Sequence, residues 1–269
     1  MADVLPKPVL LIGAGALGSS ILKGMRIVGH AVPTDLMILD LQPGDEAKAY
    51  AADGAQLNTP PETWEAARTV ILAVKPQGWH AVAAILHGNL RADAIIVSVM
   101  AGVQTSSLQQ AFAGHAVARV MPTTGVATGK GVASIYADGE DALTAANGVF
   151  APMAATVVLS DESQMDSATA VSGSGPAYVY AFVRALEKAG RETGLSRSHA
   201  RDLARGTLIS AARLLDQTGE EPDDLIRKVA SPGGTTEAAL KVLCAEGAGL
   251  DELLLAAVQA AHKRSKELG

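Results

Sequence analysis

Two glycine-rich stretches of this 269-residue chain carry residue types that bind anions: GAGALG, Gly13 to Gly18, and VASPGGTTEAAL, Val229 to Leu240. The first fits G-x-G-x-x-G, follows the apolar run VLLIG and opens a helix-like segment. Glycines at that spacing permit a tight turn, close backbone approach to a pyrophosphate and tight helix–strand packing. Gly13, Ala14, Gly15, Ala16, Leu17 and Gly18 are therefore candidates to bind a dinucleotide. In the second stretch a proline, two glycines and two hydroxyls run straight into a helix-favouring segment. Such a start leaves backbone N–H groups aimed outward, so the segment can bind an anion or cap the helix through its hydroxyls. Glu237 is the only charge within it, so any reaction there draws its chemistry from elsewhere.

The run LMILD places Asp40 about 20 residues beyond the fingerprint, where a ribose is read in dinucleotide-binding folds. A carboxylate there accepts hydrogen bonds from both ribose hydroxyls and repels a 2′-phosphate. Leu41, Gln42, Pro43 and Gly44 follow without an arginine, which favours NADH over NADPH, although Lys48 is within reach and Asp40 also suits a cap on the next turn. Ala73, Val74, Lys75 and Pro76 end a third apolar run, and Met100, Ala101 and Gly102 follow a fourth. Ligands of doubly wound sheets bind outside the carboxyl ends of strands, so both loops are expected to line a cofactor cleft. Lys75 is a possible catalytic group, but its pre-proline position equally suits a backbone role with the side chain in solvent. At VSGSGPAYVY, Val171 to Tyr180, small residues before Pro176 suggest a helix break and restart.

Positioning these loops requires alternating strands and helices. VLLIG, LMILD, TVILAV (Thr69 to Val74) and AIIVSV (Ala94 to Val99) are apolar on both faces and separated by helix-like stretches, including Leu17 to Val28 and Asp45 to Ala52. That pattern predicts a parallel sheet covered on both sides, a doubly wound Rossmann-type α/β domain. VARVMP, GVASIYA and ATVVLS read as further strands, with a helix near Asp141 to Phe150. After Ser160 the strand pattern stops, and Ala177–Thr193, Ser198–Thr218, Asp223–Val229, Thr236–Glu246 and Leu250–Leu268 read as helices. The expected division is a dinucleotide-binding domain over residues 1–160 and an all-helical domain over 161–269. The helical part is rich in Ala and Leu, and alone it would expose much apolar surface, so it is expected to pack against a second subunit.

Composition narrows the remaining classes. A net charge of −6, with both signs interspersed, gives no field favouring nucleic acid or a membrane surface. One cysteine, Cys244, excludes a disulfide framework and is expected to be a buried structural thiol. The six histidines show no metal-binding spacing, so no metal is expected. Around Ser174 a nucleophile elbow fails, because Ser172 and Pro176 stand where glycine is needed. No run of apolar residues is long enough to span a bilayer and no cleavage-like flank follows VLLIG, which points to a cytoplasmic protein.

Taken in order, GAGALG, AVKP, AGV, Met121–Pro122, SGSGPAY and VASPGGTT resemble the pyrroline-5-carboxylate reductase family, from Gly13 to Thr236. The resemblance implies NADPH- or NADH-dependent reduction of a cyclic imine to proline, cofactor contact at Met121 and Pro122, and a C-terminal domain that interlocks into a homodimer, sometimes assembled into a decamer. It assigns Ser231, Gly233, Gly234 and Thr235 to the substrate carboxylate and Thr236 to the imine nitrogen, as the catalytic group. Two positions depart from the family pattern: Thr123 stands where asparagine is usual after Met-Pro, and Glu221 where histidine often precedes Pro222. These put cofactor contacts and substrate breadth in question, and a related six-membered imine fits the same chemistry. A β-hydroxyacid dehydrogenase is a rival, but Lys188 lies late in the AYVYAFVRALEKAG helix and no asparagine follows it. A non-catalytic nucleotide-binding protein is a second rival, opposed by the intact SPGGTT loop.

Overall fold

The computed structural model describes residues 5–268. The strands and helices alternate as β1 (Val9–Ile12), α1 (Ala16–Val28), β2 (Leu36–Leu39), α2 (Asp45–Ala52), β3 (Gln56–Leu57) and β4 (Thr69–Leu72). Then come α3 (Trp79–Leu86), β5 (Ile95–Ser98), α4 (Thr105–Ala111), β6 (Ala116–Pro122), β7 (Gly131–Ala137), α5 (Glu140–Phe150) and β8 (Ala154–Val158). The strands form one sheet in the order β3-β2-β1-β4-β5-β6-β7-β8, parallel from β3 to β6. β7 runs antiparallel to β6, and β8 parallel to β7. The order reverses between β1 and β4, which is the switch point where such sheets bind ligands.

Side-chain alternation explains why these strands are apolar throughout. Val9 and Leu11 of β1 face a core shared with Ile21 and Met25 of α1, Tyr50 of α2 and Phe150 of α5. Leu10 and Ile12 face the opposite core, with Trp79 and Leu86 of α3 and Leu108 of α4. A strand covered by helices on both faces has no polar side, so its sequence shows a continuous run. β1, β2, β4 and β5 are each shorter than the run that predicts them. After Leu72 the chain turns toward the Lys75–Pro76 bond, and proline holds the residue before it in extended backbone that leads out of the sheet.

The helical segment after β8 begins with α6 (Met165–Ala168) and a wider π turn at Thr169–Gly173, in which the Thr169 and Ser172 hydroxyls donate to the carbonyls of Met165 and Ala168. It continues as α7 (Gly175–Glu192), α8 (Arg197–Thr218), α9 (Pro222–Val229), α10 (Thr235–Leu243) and α11 (Leu250–Leu268). Pro176 is the second residue of α7, in the first turn, where a missing N–H costs no hydrogen bond within the helix. The chain divides into two compact units, one comprising the residues up to Gly173 and those from Ala261 on, the other Ser174–Ala260.

The second unit is short of a core of its own. Among its residues only Ala200, Ala204 and Gly249 are buried, whereas Val242, Tyr180, Leu253 and Leu255 are 59–74% exposed. Cys244 is exposed, contrary to the buried thiol expected from its apolar surroundings, because it caps the end of α10 in this coreless unit. Among the described residues no helix is long and apolar enough to cross a membrane.

Candidate functional site

The carboxyl ends of the parallel strands bring the candidate cofactor residues to one edge of the sheet. Running along it are Asp40 after β2, the glycine loop after β1, Ala73 to Pro76 after β4, Met100 to Gly102 after β5, and Met121–Pro122 at the end of β6. Backbone bonds fix the turns between strands: Gly13 N–H donates to Leu39 O and Ala73 N–H to Ile12 O, each at 2.8 Å. From β2 to β6 is four inter-strand steps, or about 19 Å.

The three glycines of the loop divide their tasks in the way a dinucleotide cradle needs. Gly13 has φ 92°, and a Cβ there would lie 2.6 Å from Ala73 O. A Cβ at Gly18 would collide with Gly13 O. Gly15 is different: its φ of −66° suits any residue, yet a Cβ there would meet nothing within 4 Å. Open space stands in front of bare backbone at the one position where a pyrophosphate has to come close. α1 starts immediately behind it with no side-chain cap and no acidic residue in its first turn. Its first N–H groups and the positive end of its dipole are left for an anion, so the residues present fit the dinucleotide.

Asp40 is held as a receptor would be. Its Oδ2 accepts from Ala14 N–H at 2.5 Å, and its Oδ1 from Gln42 N–H at 2.7 Å. Capping the next turn and facing the cofactor loop are thus both true of it. A carboxylate offers about four acceptor directions, so the second lone pair of each oxygen is left for ribose hydroxyls. Lys48 and Lys75 are exposed, and Lys75 uses its carbonyl to accept from Gly78 N–H at 3.0 Å. Met100 is buried, while Ala101 and Gly102 are half-buried.

A half-buried cluster behind the Met100–Gly102 loop escaped the sequence reading. Glu162 Oε1 accepts from Arg119 Nη1 at 2.5 Å, from Thr105 N–H at 2.7 Å and from the Thr105 hydroxyl at 2.9 Å. Burial alone would push the Glu162 carboxyl up, but the hydrogen bonds from Thr105 and Arg119 outweigh it and hold the carboxyl below its ordinary range. The pair fastens the start of α4, and with it the loop, to β6. A cavity of about 420 Å³ opens beside it, lined by Gly102, Gln104, Arg119, Glu162, Asp166 and Ser265 among others. Arg119 was detectable as a lone charge inside the apolar run VARVMP, which demands a buried partner.

Thr123, the departure beside Met121–Pro122, is buried, and its hydroxyl accepts from Val132 N–H at 3.1 Å. It therefore closes the turn between β6 and β7 with the group that distinguishes it.

On the second unit, α9 ends at Val229 and the SPGG loop leads into α10. Gly233 has φ 72°, and a Cβ at Gly234 would lie 2.5 Å from Ser231 Oγ. The loop secures itself: Gly233 N–H donates to Glu237 at 2.6 Å and Gly234 N–H to Ser231 O at 3.0 Å. This is a shifted form of the capping box. The free donors accordingly begin one residue later. First-turn N–H groups of a helix have no acceptor within it, so those of Thr235 and Thr236 remain available, beside their hydroxyls. Thr235 and Ser231 are exposed and Thr236 half-buried. Glu221 caps α9 only through its carbonyl, which accepts from Asp224 and Leu225 N–H. Among the described residues no group of acidic, histidine and cysteine side chains could hold a metal ion.

A doubly wound sheet with a glycine cradle at its switch point, followed by a helical unit lacking its own core, places the chain among two-part dinucleotide-binding proteins. Residues 8–102 match the family described as NADP oxidoreductase, coenzyme F420-dependent, and residues 162–268 match pyrroline-5-carboxylate reductase dimerisation. The chain is 36% identical to pyrroline-5-carboxylate reductase of Synechocystis, across 96% of this chain and 97% of the relative. Against the same enzyme of Pseudomonas aeruginosa it is 37% identical, across 97% and 96%. A solved pyrroline-5-carboxylate reductase from Coxiella burnetii superposes with a TM-score of 0.86 at 28% identity, covering 98% of this chain and 99% of the other. The chain belongs to the pyrroline-5-carboxylate reductase family.

Proposed function

We propose that this chain reduces the C=N bond of 1-pyrroline-5-carboxylate to give proline. The observation that carries the reading, beyond family membership, is the SPGGTT loop: a self-secured turn whose uncommitted donors, at Thr235 and Thr236, suit a small carboxylate beside a hydroxyl. The dipole of α10 adds to the attraction for that carboxylate.

When bound, the reduced nicotinamide supplies the hydride for the imine carbon. The chain's own residues bind, orient and manage one proton. Gly15 and the start of α1 take the pyrophosphate, Asp40 takes the ribose hydroxyls, and the loops at Ala73–Pro76, Met100–Gly102 and Met121–Pro122 line the remaining cleft. Ser231, Gly233 and Gly234 shape the substrate loop, Thr235 holds the carboxylate, and Thr236 places its hydroxyl, or a water it orients, at the imine nitrogen. An imine is already electrophilic and its nitrogen readily protonated, so positioning accounts for most of the rate. Asp40 supports NADH as the preferred reductant, since a 2′-phosphate would meet its charge.

The functional division we favour places the dinucleotide-binding part at residues 1–160 and the substrate and dimerisation part at 161–269, in keeping with the two matched segments. The exposed apolar face of the second unit supports a homodimer. Replacing Thr236 by alanine should lower turnover by about 10- to 10³-fold, as loss of one oriented donor does, with Thr236→Ser close to wild type. Full turnover in Thr236→Ala would remove that residue from the reaction.

A further inference from the structure

We propose that Asn58 is a positioning residue that fixes Asp40 for cofactor binding and thereby helps set cofactor selectivity; this rests on the reading that Asp40 receives the ribose. β2 and β3 pair in parallel, Met37 with Gln56 and Ile38 with Leu57. Asn58 N–H continues that ladder by donating to Ile38 O at 2.8 Å. The backbone then stops serving as a strand, because Asn58 turns at φ 52° and Pro60 and Pro61 carry no N–H.

The Asn58 side chain takes over the pairing. Its Oδ1 accepts from Asp40 N–H at 2.9 Å, and its Nδ2 donates to Asp40 O at 2.8 Å. One amide therefore holds both main-chain polar groups of Asp40 from 18 positions away. A donor and an acceptor on one short planar group is what the geometry asks for, and asparagine is also the non-glycine residue most at ease with positive φ. Ala14 and Gln42 N–H groups hold the carboxylate from its other end. Backbone and side chain of Asp40 are fixed together, so two hydroxyls meet a receptor already arranged, with less ordering left to binding. Asn58 itself is exposed and belongs to neither core, so its truncation reaches the cofactor through Asp40 and not through packing.

The test compares wild type, Asn58→Gly and Asp40→Ser by calorimetric titration with NADH and with NADPH, without substrate, alongside steady-state kinetics. Asn58→Gly keeps the left-handed turn and removes only the amide, and Asn58→Ser provides a second variant should the glycine prove unstable. The expected result is NADH binding weakened by about tenfold with NADPH within about twofold, and KM for NADH raised while kcat is kept. Unchanged NADH affinity in Asn58→Gly, or equal weakening of both cofactors, would overturn the proposal. Asp40→Ser separates the two ideas. If it collapses the NADH-to-NADPH ratio while Asn58→Gly leaves that ratio intact, only the role of Asn58 fails; if Asp40→Ser leaves the ratio unchanged, the ribose reading fails and this proposal with it.

Discussion

Adding one methyl group at Gly15 separates a nucleotide cradle from a merely structural glycine turn. Gly15 sits at φ −66° and ψ −158°, extended backbone that alanine adopts freely, and the new Cβ would have no neighbour within 4 Å. Folding stability should therefore hold, or rise by about 0.5 kcal/mol as the unfolded chain loses freedom. Binding should suffer, because the methyl occupies the space through which a pyrophosphate approaches the backbone. Loss of one hydrogen bond to a charged group costs about 1.5–3 kcal/mol, which at about 1.4 kcal/mol per decade is roughly 10- to 100-fold in Kd. The loss should be equal for NADH and NADPH, which share the pyrophosphate. Gly18→Ala is the opposite case: its Cβ collides with Gly13 O, and overpacking of that kind should destabilise the protein by about 3 kcal/mol. Urea denaturation and calorimetric titration measure both quantities. Wild-type affinity in Gly15→Ala, or a Gly15→Ala protein as unstable as Gly18→Ala, would refute the assignment.

His30 is half-buried, with Nε2 2.5 Å from Gly148 O. Burial pushes its pKa below the ordinary 6.5, with Lys7 adding and the Gly148 bond opposing. The unfolded chain then binds the proton more tightly, so His30 stabilises at neutral pH and that contribution disappears as pH falls from about 6.5 through the folded value. His30→Gln should flatten the decline in denaturation midpoint between about pH 7 and 5, and an unchanged slope would count against it. Glu162→Gln leaves the Arg119 side chain, only 7% exposed, without its counter-ion. About 1.5–3 kcal/mol, the scale of a hydrogen bond to a charged group, should be lost in urea denaturation, and a negligible change would mean the pair does not anchor the loop. On the second unit, Phe182, Leu186, Leu243 and Leu254 line an apolar groove of about 620 Å³. Phe182→Asp should shift a micromolar dimer to monomer in sedimentation, whereas a persistent dimer would place the interface elsewhere.

Most of the fold was legible because both signals that specify it are local. Runs of four to six apolar residues bounded by turn residues are too short for buried helices and fit strands covered on both faces, and α2, β7 and α11 begin and end where their sequence periodicity says. The reversal of β7 was not legible, since direction depends on the return path through the turn at Thr123–Thr128 and not on any residue within the strand. β3 was missed because two residues leave no period to read. At the site, the glycines announced themselves by spacing, but their separate tasks emerge only when each is given a Cβ. Glu162 was invisible beside its solvated neighbours, since its worth depends on Arg119 and Thr105, far off in sequence. The internal bond from Gly233 to Glu237 likewise moved the free donors from the glycines to the threonines.

The most direct measurement supplies purified protein with 1-pyrroline-5-carboxylate and either NADH or NADPH, following cofactor absorbance and proline together. Proline formed in equal amount to cofactor oxidised, faster with NADH, is the predicted result. No oxidation of either cofactor, with the protein folded and binding NADH, would contradict the assigned reaction.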